Sequence, residues 1–432
     1  MKIRKMVLAM KTKRKFRTGF TSFLLNTILT CIVAIVILVL PNTYSTLSTI
    51  GYCIILLCIV LYLKFRKAER LTFLVGILIV ISFCFAISVC LNPYSTAFNW
   101  QVSLINTEAN IVNAKNFLLF IYIFTMVLRK KGSEDTPESI QFHSNFLIFL
   151  VGFLILIFAF YFGIDKSIIG VYSSNTNPLY EYSLVIYLFC WLYFDKKWAH
   201  TILILYAILY CIQALLYGDR SSCFPMILLN MLLLWKRGYN MKYIIIIGIG
   251  GILFGNAIDI FRNSGTLFSL DVFKEVLDRG LFVNTISYSF YGGTQILRYG
   301  TYTANNISHF FSYLESLFLG GGSGVTLTVI ANANGFVNKG GGMSHVYFYY
   351  WFGYLGTIIF GIIMSKIINY AYTHKGKIAY ILQLTILIFL FRWFLYYPIT
   401  FFRTALIIPA VLYVLCELFC NGIKNKRGRS EL

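Results

Sequence analysis

The stretch KIRKMVLAMKTKRKFRTGFTSFLLNTILTCIVAIVILVL, Lys2 to Leu40, sets eight basic residues directly before an apolar run that begins at Phe20. A run from Phe20 to Leu40 is long enough to cross a hydrocarbon layer of about 30 Å at about 1.5 Å per residue. Positive charge beside such a run holds that end in the cytoplasm. The pattern then repeats along the chain. Basic residues return in every second gap between apolar runs, at Lys64 to Arg70, Arg129 to Lys131, Lys196 and Lys197, Lys236 to Lys242, Lys366 to Lys377 and Lys424 to Arg429. Together with the N-terminus these gaps hold 27 of the 37 Lys and Arg.

This alternation predicts an all-α, polytopic integral membrane protein of about twelve transmembrane helices. The expected spans are 20–40, 46–63, 71–90, 110–128, 145–163, 179–194, 198–217, 221–235, 241–260, 344–365, 378–396 and 401–420. Twelve crossings that start inside also finish inside, and the basic tail falls on the side the N-terminus requires. Composition agrees: 58% hydrophobic, 12% charged and a mean hydropathy of +0.74 leave too little polar surface for a water-soluble globule of 432 residues. Almost all of the net charge of +21 sits on the cytoplasmic side, where it meets an anionic leaflet, so it predicts membrane lipid contact and no nucleic-acid partner. The ten Cys lie in or beside apolar runs and read as small core residues. Neither a CxxC pair nor HExxH is present, so no metal site is expected.

The chain divides into a basic cytoplasmic N-terminus (1–19), nine spans (20–260), a large outer loop (261–343), three spans (344–420) and a basic cytoplasmic tail (421–432). The outer loop carries two amphipathic patterns. Leu270, Phe273, Val276, Leu277 and Leu281 recur at helical spacing opposite Asp271, Lys274, Glu275 and Asp278, and Ile307 to Leu319 repeats the design with His309, Ser312 and Glu315 on its polar edge. Both predict helices on the membrane surface. Tyr288, Tyr291, Tyr299 and Tyr302 run between them, and the glycines at 320–322, 324 and 340–342 predict a mobile rim.

Ten basic residues fall outside the orientation signal, and these need another explanation. Arg220 lies in the turn Tyr217-Gly-Asp-Arg-Ser-Ser222, and Arg392 and Arg403 flank the last outer hairpin. Guanidinium grips diphosphate or carboxylate with two parallel hydrogen bonds. Three such groups at one depth on the uncharged face point to an anionic ligand, with Arg298 a further candidate; a snorkelling side chain or an ion pair is the simpler use of each one alone. His345, in Ser344-His-Val346 at the start of the tenth span, is the first choice for a general base, and Asp219 and Glu315 are the reserves. A histidine satisfied by a backbone carbonyl at the interface is the equal alternative for His345.

The twelve-span outline, the late outer loop, the Gly-Asp-Arg-Ser turn ending at Ser221, and Ser344-His-Val346 followed by Phe352-Gly-Tyr-Leu-Gly356 resemble the O-antigen and capsule repeat-unit polymerases (Wzy-type), which are related to the O-antigen ligases. In ligase-like members an Asn commonly follows the histidine; Val346 stands here and leans toward polymerase. The resemblance implies a GT-C-like membrane glycosyltransferase of the cell membrane that needs no metal, nucleotide sugar or other cofactor. Its donor would be a growing glycan on undecaprenyl diphosphate, transferred to a lipid-linked repeat unit at the outer leaflet, with a chain-length regulator and a flippase as partners. Arg220, Arg392, Arg403 and Arg298 would hold diphosphate, and His345, Asp219 or Glu315 would serve the acceptor hydroxyl. An O-antigen ligase has the same parts. A lipid-linked oligosaccharide flippase, a transporter and not an enzyme, would carry internal repeats and ionisable groups near the bilayer midplane, and the sequence has neither.

Overall fold

The computed structural model describes residues 25–67, 71–91, 107–129, 140–164, 177–217, 220–234, 240–264, 270–279, 285–300, 304–319, 327–334 and 341–430. Every regular element among them is a helix. Six helices are long and apolar enough to cross a membrane: α2 (Tyr44–Phe65), α4 (Thr107–Val127), α7 (Lys197–Leu216), α9 (Met241–Ser264), α14 (Ser344–Thr373) and the pair formed by a π-helical stretch (Thr400–Ile407) with α17 (Ile408–Ser430). Five shorter apolar helices accompany them: α1 (Leu25–Val39), α3 (Thr72–Phe85), α5 (Phe146–Phe162), α8 (Arg220–Leu234) and α15 (Lys377–Ile388). A further helix, α6 (Pro178–Tyr193), is held at its start by Asn177, whose side chain accepts from Leu179 N (3.1 Å) with Pro178 in the first turn.

The expected run 378–396 breaks at Phe389 (φ −90°, ψ 7°) into α15 and a short α16 (Leu390–Leu395). The long helix α14 also breaks, at Phe352 and Gly353, where Gly353 takes φ 62°. Only glycine reaches that region cheaply, so the Phe-Gly-Tyr-Leu-Gly sequence is a built-in kink.

The outer-loop expectation needs correction. The patterns at 270 and 307 do form helices, α10 (Leu270–Arg279) and α12 (Ala304–Leu319), and α10 lies exposed. The tyrosine-bearing segment between them is a helix too. It forms α11 (Thr285–Tyr299), which packs on α4 and α3 with Ser287, Ser289, Phe290, Thr294 and Gln295 buried. Small residues permit that approach: a Cβ on Gly293 would stand 2.8 Å from the Gly342 carbonyl oxygen and 3.0 Å from Val346. Gly341 and Gly342 are likewise packed, with Gly342 N and Met343 N donating to Tyr396 O and Leu395 O; the glycines at 320–322, 324 and 340 lie outside the described residues. A short helix α13 (Thr328–Ala333) completes the segment before α14.

Buried cations explain themselves locally. Lys115 on α4 donates to Leu40 O and Asn42 Oδ1 just beyond α1, and Lys64 on α2 donates to Thr125 O and Leu128 O at the end of α4. Each ammonium satisfies carbonyls that a helix C-terminus leaves open. Lys115 therefore leaves the group of unexplained charges.

Candidate functional site

α6 begins with Glu181 and Tyr182, and two of the four expected arginines converge on them. Arg392, on α16 and only 8% exposed, pairs through Nη1 with Glu181 Oε1 at 2.8 Å and donates from Nη2 to Ser221 Oγ at 2.8 Å. Arg403, on the π-helical stretch, donates from Nη1 to Ser316 O of α12 (3.3 Å), and its guanidinium lies 5.8 Å from the Tyr182 ring centre. Glu181 stands in the first turn of α6, where the helix macrodipole favours its negative charge. Ser221 follows Arg220, the first residue of α8, so the backbone of Arg220 adjoins the group that Arg392 holds; its side chain and Asp219 lie outside what is described. Arg298 is exposed in the last turn of α11 over the Tyr299 ring (5.0 Å), and Glu315 is exposed beside Ser316.

Arg392 and Ser221 line an apolar cavity of about 480 Å³. Its walls come from α3 (Phe73, Ile77), α8 (Phe224, Leu228) and α9 (Ile244, Ile247), and Asn256, Thr285 and Tyr396 join the lining. Glycines make the room. A Cβ on Gly250 or Gly251 would meet nothing within 4 Å. The arrangement offers a bulky apolar chain a slot and its polar head a cation with a neighbouring hydroxyl.

His345 sits elsewhere, inside the bundle. It is 2% exposed, its Nε2 meets Asn113 Oδ1 at 3.0 Å, and it packs against the rings of Phe117 and Phe120. Asn113 Nδ2 in turn donates to Phe290 O (3.0 Å) and Thr294 Oγ1 (3.3 Å) of α11, while Asn116 donates from Nδ2 to His345 O (3.4 Å) and accepts at Oδ1 from Thr357 Oγ1. The neutral imidazole with a proton on Nε2 fits this pairing, because an amide oxygen only accepts. His345 is thus the second residue of α14, and an interfacial carbonyl is not the partner of its Nε2: it is one member of a buried network that ties α4, α11 and α14 together. A second histidine, His309, is half-buried and pairs through Nδ1 with Tyr350 OH at 3.1 Å.

Sequence reasoning missed Asn113 and Asn116, although a signal was present. Asn110, Asn113 and Asn116 recur every three residues inside an otherwise apolar helix, and all three are buried on it. No cluster of three metal-binding side chains occurs among the described residues. Compared with known proteins, the chain matches no family model, no curated sequence and no solved structure.

Proposed function

We propose that the protein is a metal-independent polysaccharide polymerase of the cell membrane, which transfers a growing glycan from undecaprenyl diphosphate to a lipid-linked repeat unit at the outer leaflet. The observation that carries this reading is Arg392, buried beside Ser221 in the lining of the apolar cavity. A polyprenyl chain suits the cavity, and a diphosphate suits the guanidinium. In the reaction an acceptor hydroxyl attacks the anomeric carbon of the donor glycan, the bond from that carbon to the diphosphate oxygen breaks, and the hydroxyl proton passes to a base. Negative charge grows on the departing diphosphate, and a fixed cation in a water-poor setting stabilises that change. Arg392 is the group assigned to it here, with Arg403, Arg220 beside Ser221 and Arg298 as further candidates. The twelve-span topology with both termini in the cytoplasm puts these residues on the outer side and belongs to the same proposal.

The test is the profile of lipid-linked glycans after deletion of the gene. Single repeat units accumulating on the outer leaflet are the expected result, and an Arg392→Gln complement should fail to restore polymer although the protein reaches the membrane. Long polymer stranded on its lipid would make the protein a ligase. Units trapped on the inner leaflet would make it a flippase, and an unchanged profile would remove the glycan reading altogether.

A further inference from the structure

Tyr313 on α12 and Tyr347 on α14 are 2% and 1% exposed, and both rings pack on one indole, Trp351, at centroid distances of 4.6 and 6.0 Å. Neither hydroxyl has a hydrogen-bond partner among the described residues; the Leu327 backbone is near Tyr347 but outside hydrogen-bond geometry. The Nε of Arg403 is also buried and unpartnered, while its Nη1 holds the Ser316 carbonyl, one turn along α12 from Tyr313. The three groups feel one another. Burial pushes the Tyr313 hydroxyl well above the ordinary phenol range, Tyr347 adds to the rise and Arg403 opposes it.

Buried donors without partners are rare in folded proteins, and each calls for an explanation. Three on adjoining elements share one: an acceptor from beyond the described residues. Two hydroxyls and a cation with no carboxylate among the described residues paired to them select a group that is both acceptor-rich and negative. Glu181 is engaged by Arg392, and Glu315 is exposed.

We propose that Tyr313, Tyr347 and Arg403 form a second anion subsite, which takes a phosphate-type oxyanion and is separate from the cavity that Arg392 lines. None of the three lines that cavity. Arg392 and Arg403 engage consecutive residues of α6, whose side chains leave the helix about 100° apart. This inference rests on the transferase reading and deepens it: an enzyme that joins two lipid-linked glycans handles two diphosphates, and the two arginines then serve different ones. A lipid-linked diphosphate, an anionic lipid headgroup and free phosphate share the required chemistry.

The experiment uses the full chain in nanodiscs of zwitterionic lipid, titrated with inorganic pyrophosphate and followed by thermal shift, with a Tyr313→Phe/Tyr347→Phe variant alongside. Pyrophosphate affinity should fall roughly tenfold per hydroxyl, the size of a charge-assisted hydrogen bond. The melting temperature without ligand should hold or rise, since the variant removes two unsatisfied groups. Unchanged pyrophosphate affinity, or a lower melting temperature without ligand, overturns the subsite. Three arms identify the source. Farnesyl diphosphate binding more tightly than pyrophosphate means a lipid-linked diphosphate, equal affinities mean free phosphate, and loss of the response in phosphatidylglycerol nanodiscs means a lipid headgroup. Tyrosine-dependent binding in a protein whose deletion leaves glycans unchanged keeps the subsite and removes the transferase. A double variant that restores full polymer does the reverse.

Discussion

α10 and α11 are separated by five residues, yet they meet opposite fates. α10 is the more amphipathic, and its apolar side chains are left out: Leu270 is 87% exposed and Phe273 62%, with only Val276 tucked against Ile260. α11 is rich in Ser, Thr and Gly and is buried along most of its length. Hydrophobicity did not select the buried helix. Shape and hydrogen bonding did, because Gly293 lets α11 approach, and Asn113 meets the Phe290 carbonyl and the Thr294 hydroxyl there. Between apolar helices in a lipid setting there is little hydrophobic gain left to collect, so close backbones and polar pairs decide association. The exposed apolar face of α10 suits the membrane surface instead.

The strongest way to break this contrast is Gly293→Val. Its side chain would collide with the Gly342 carbonyl and Val346, neither of which is the free end of a flexible group, so a loss of about 3 kcal/mol or more is expected. The check is the yield of monodisperse protein by size-exclusion chromatography; wild-type behaviour would mean that α11 does not seat where described.

A smaller effect sharpens the same point. Asn113→Leu should cost about 2 kcal/mol, since it leaves buried groups of His345 and α11 unpaired. Combined with His345→Ala in a double-mutant cycle, the coupling should be about 1 to 2 kcal/mol by thermal denaturation in detergent. A folded, fully stable His345→Ala protein that makes no polymer would instead return the imidazole to the role of base.

The smallest effect belongs to α10. Phe273→Asp should change stability in detergent by less than about 0.5 kcal/mol, because the ring packs on little protein. A polarity-sensitive fluorophore on Phe273→Cys should report an apolar setting in nanodiscs, and a fully aqueous spectrum would end the membrane-surface reading of this helix.

Much of the helical outline was legible in the residues. The expected run 46–63 is α2 at Tyr44–Phe65, and 221–235 is α8 at Arg220–Leu234, because an apolar run and its charged flanks are local features. The breaks at Phe389 and in α14 were less so, since a backbone turn inside an apolar run changes no hydropathy. The candidate site was half legible. Arg392 and Arg403 stood out as cations where cations are unexpected, but their placement on either side of Glu181 and Tyr182 joins segments far apart in the chain.

Helix type was determined by sequence alone, because it depends on neighbours within a few turns. Tertiary structure decided which polar groups meet: Asn113 finds His345 across 232 residues, α11 enters the bundle while α10 stays out, and two arginines part company at one helix start. The reason is physical. A hydrogen bond or a close backbone approach depends on positions in space to within a few tenths of an ångström, and periodicity carries no information at that scale.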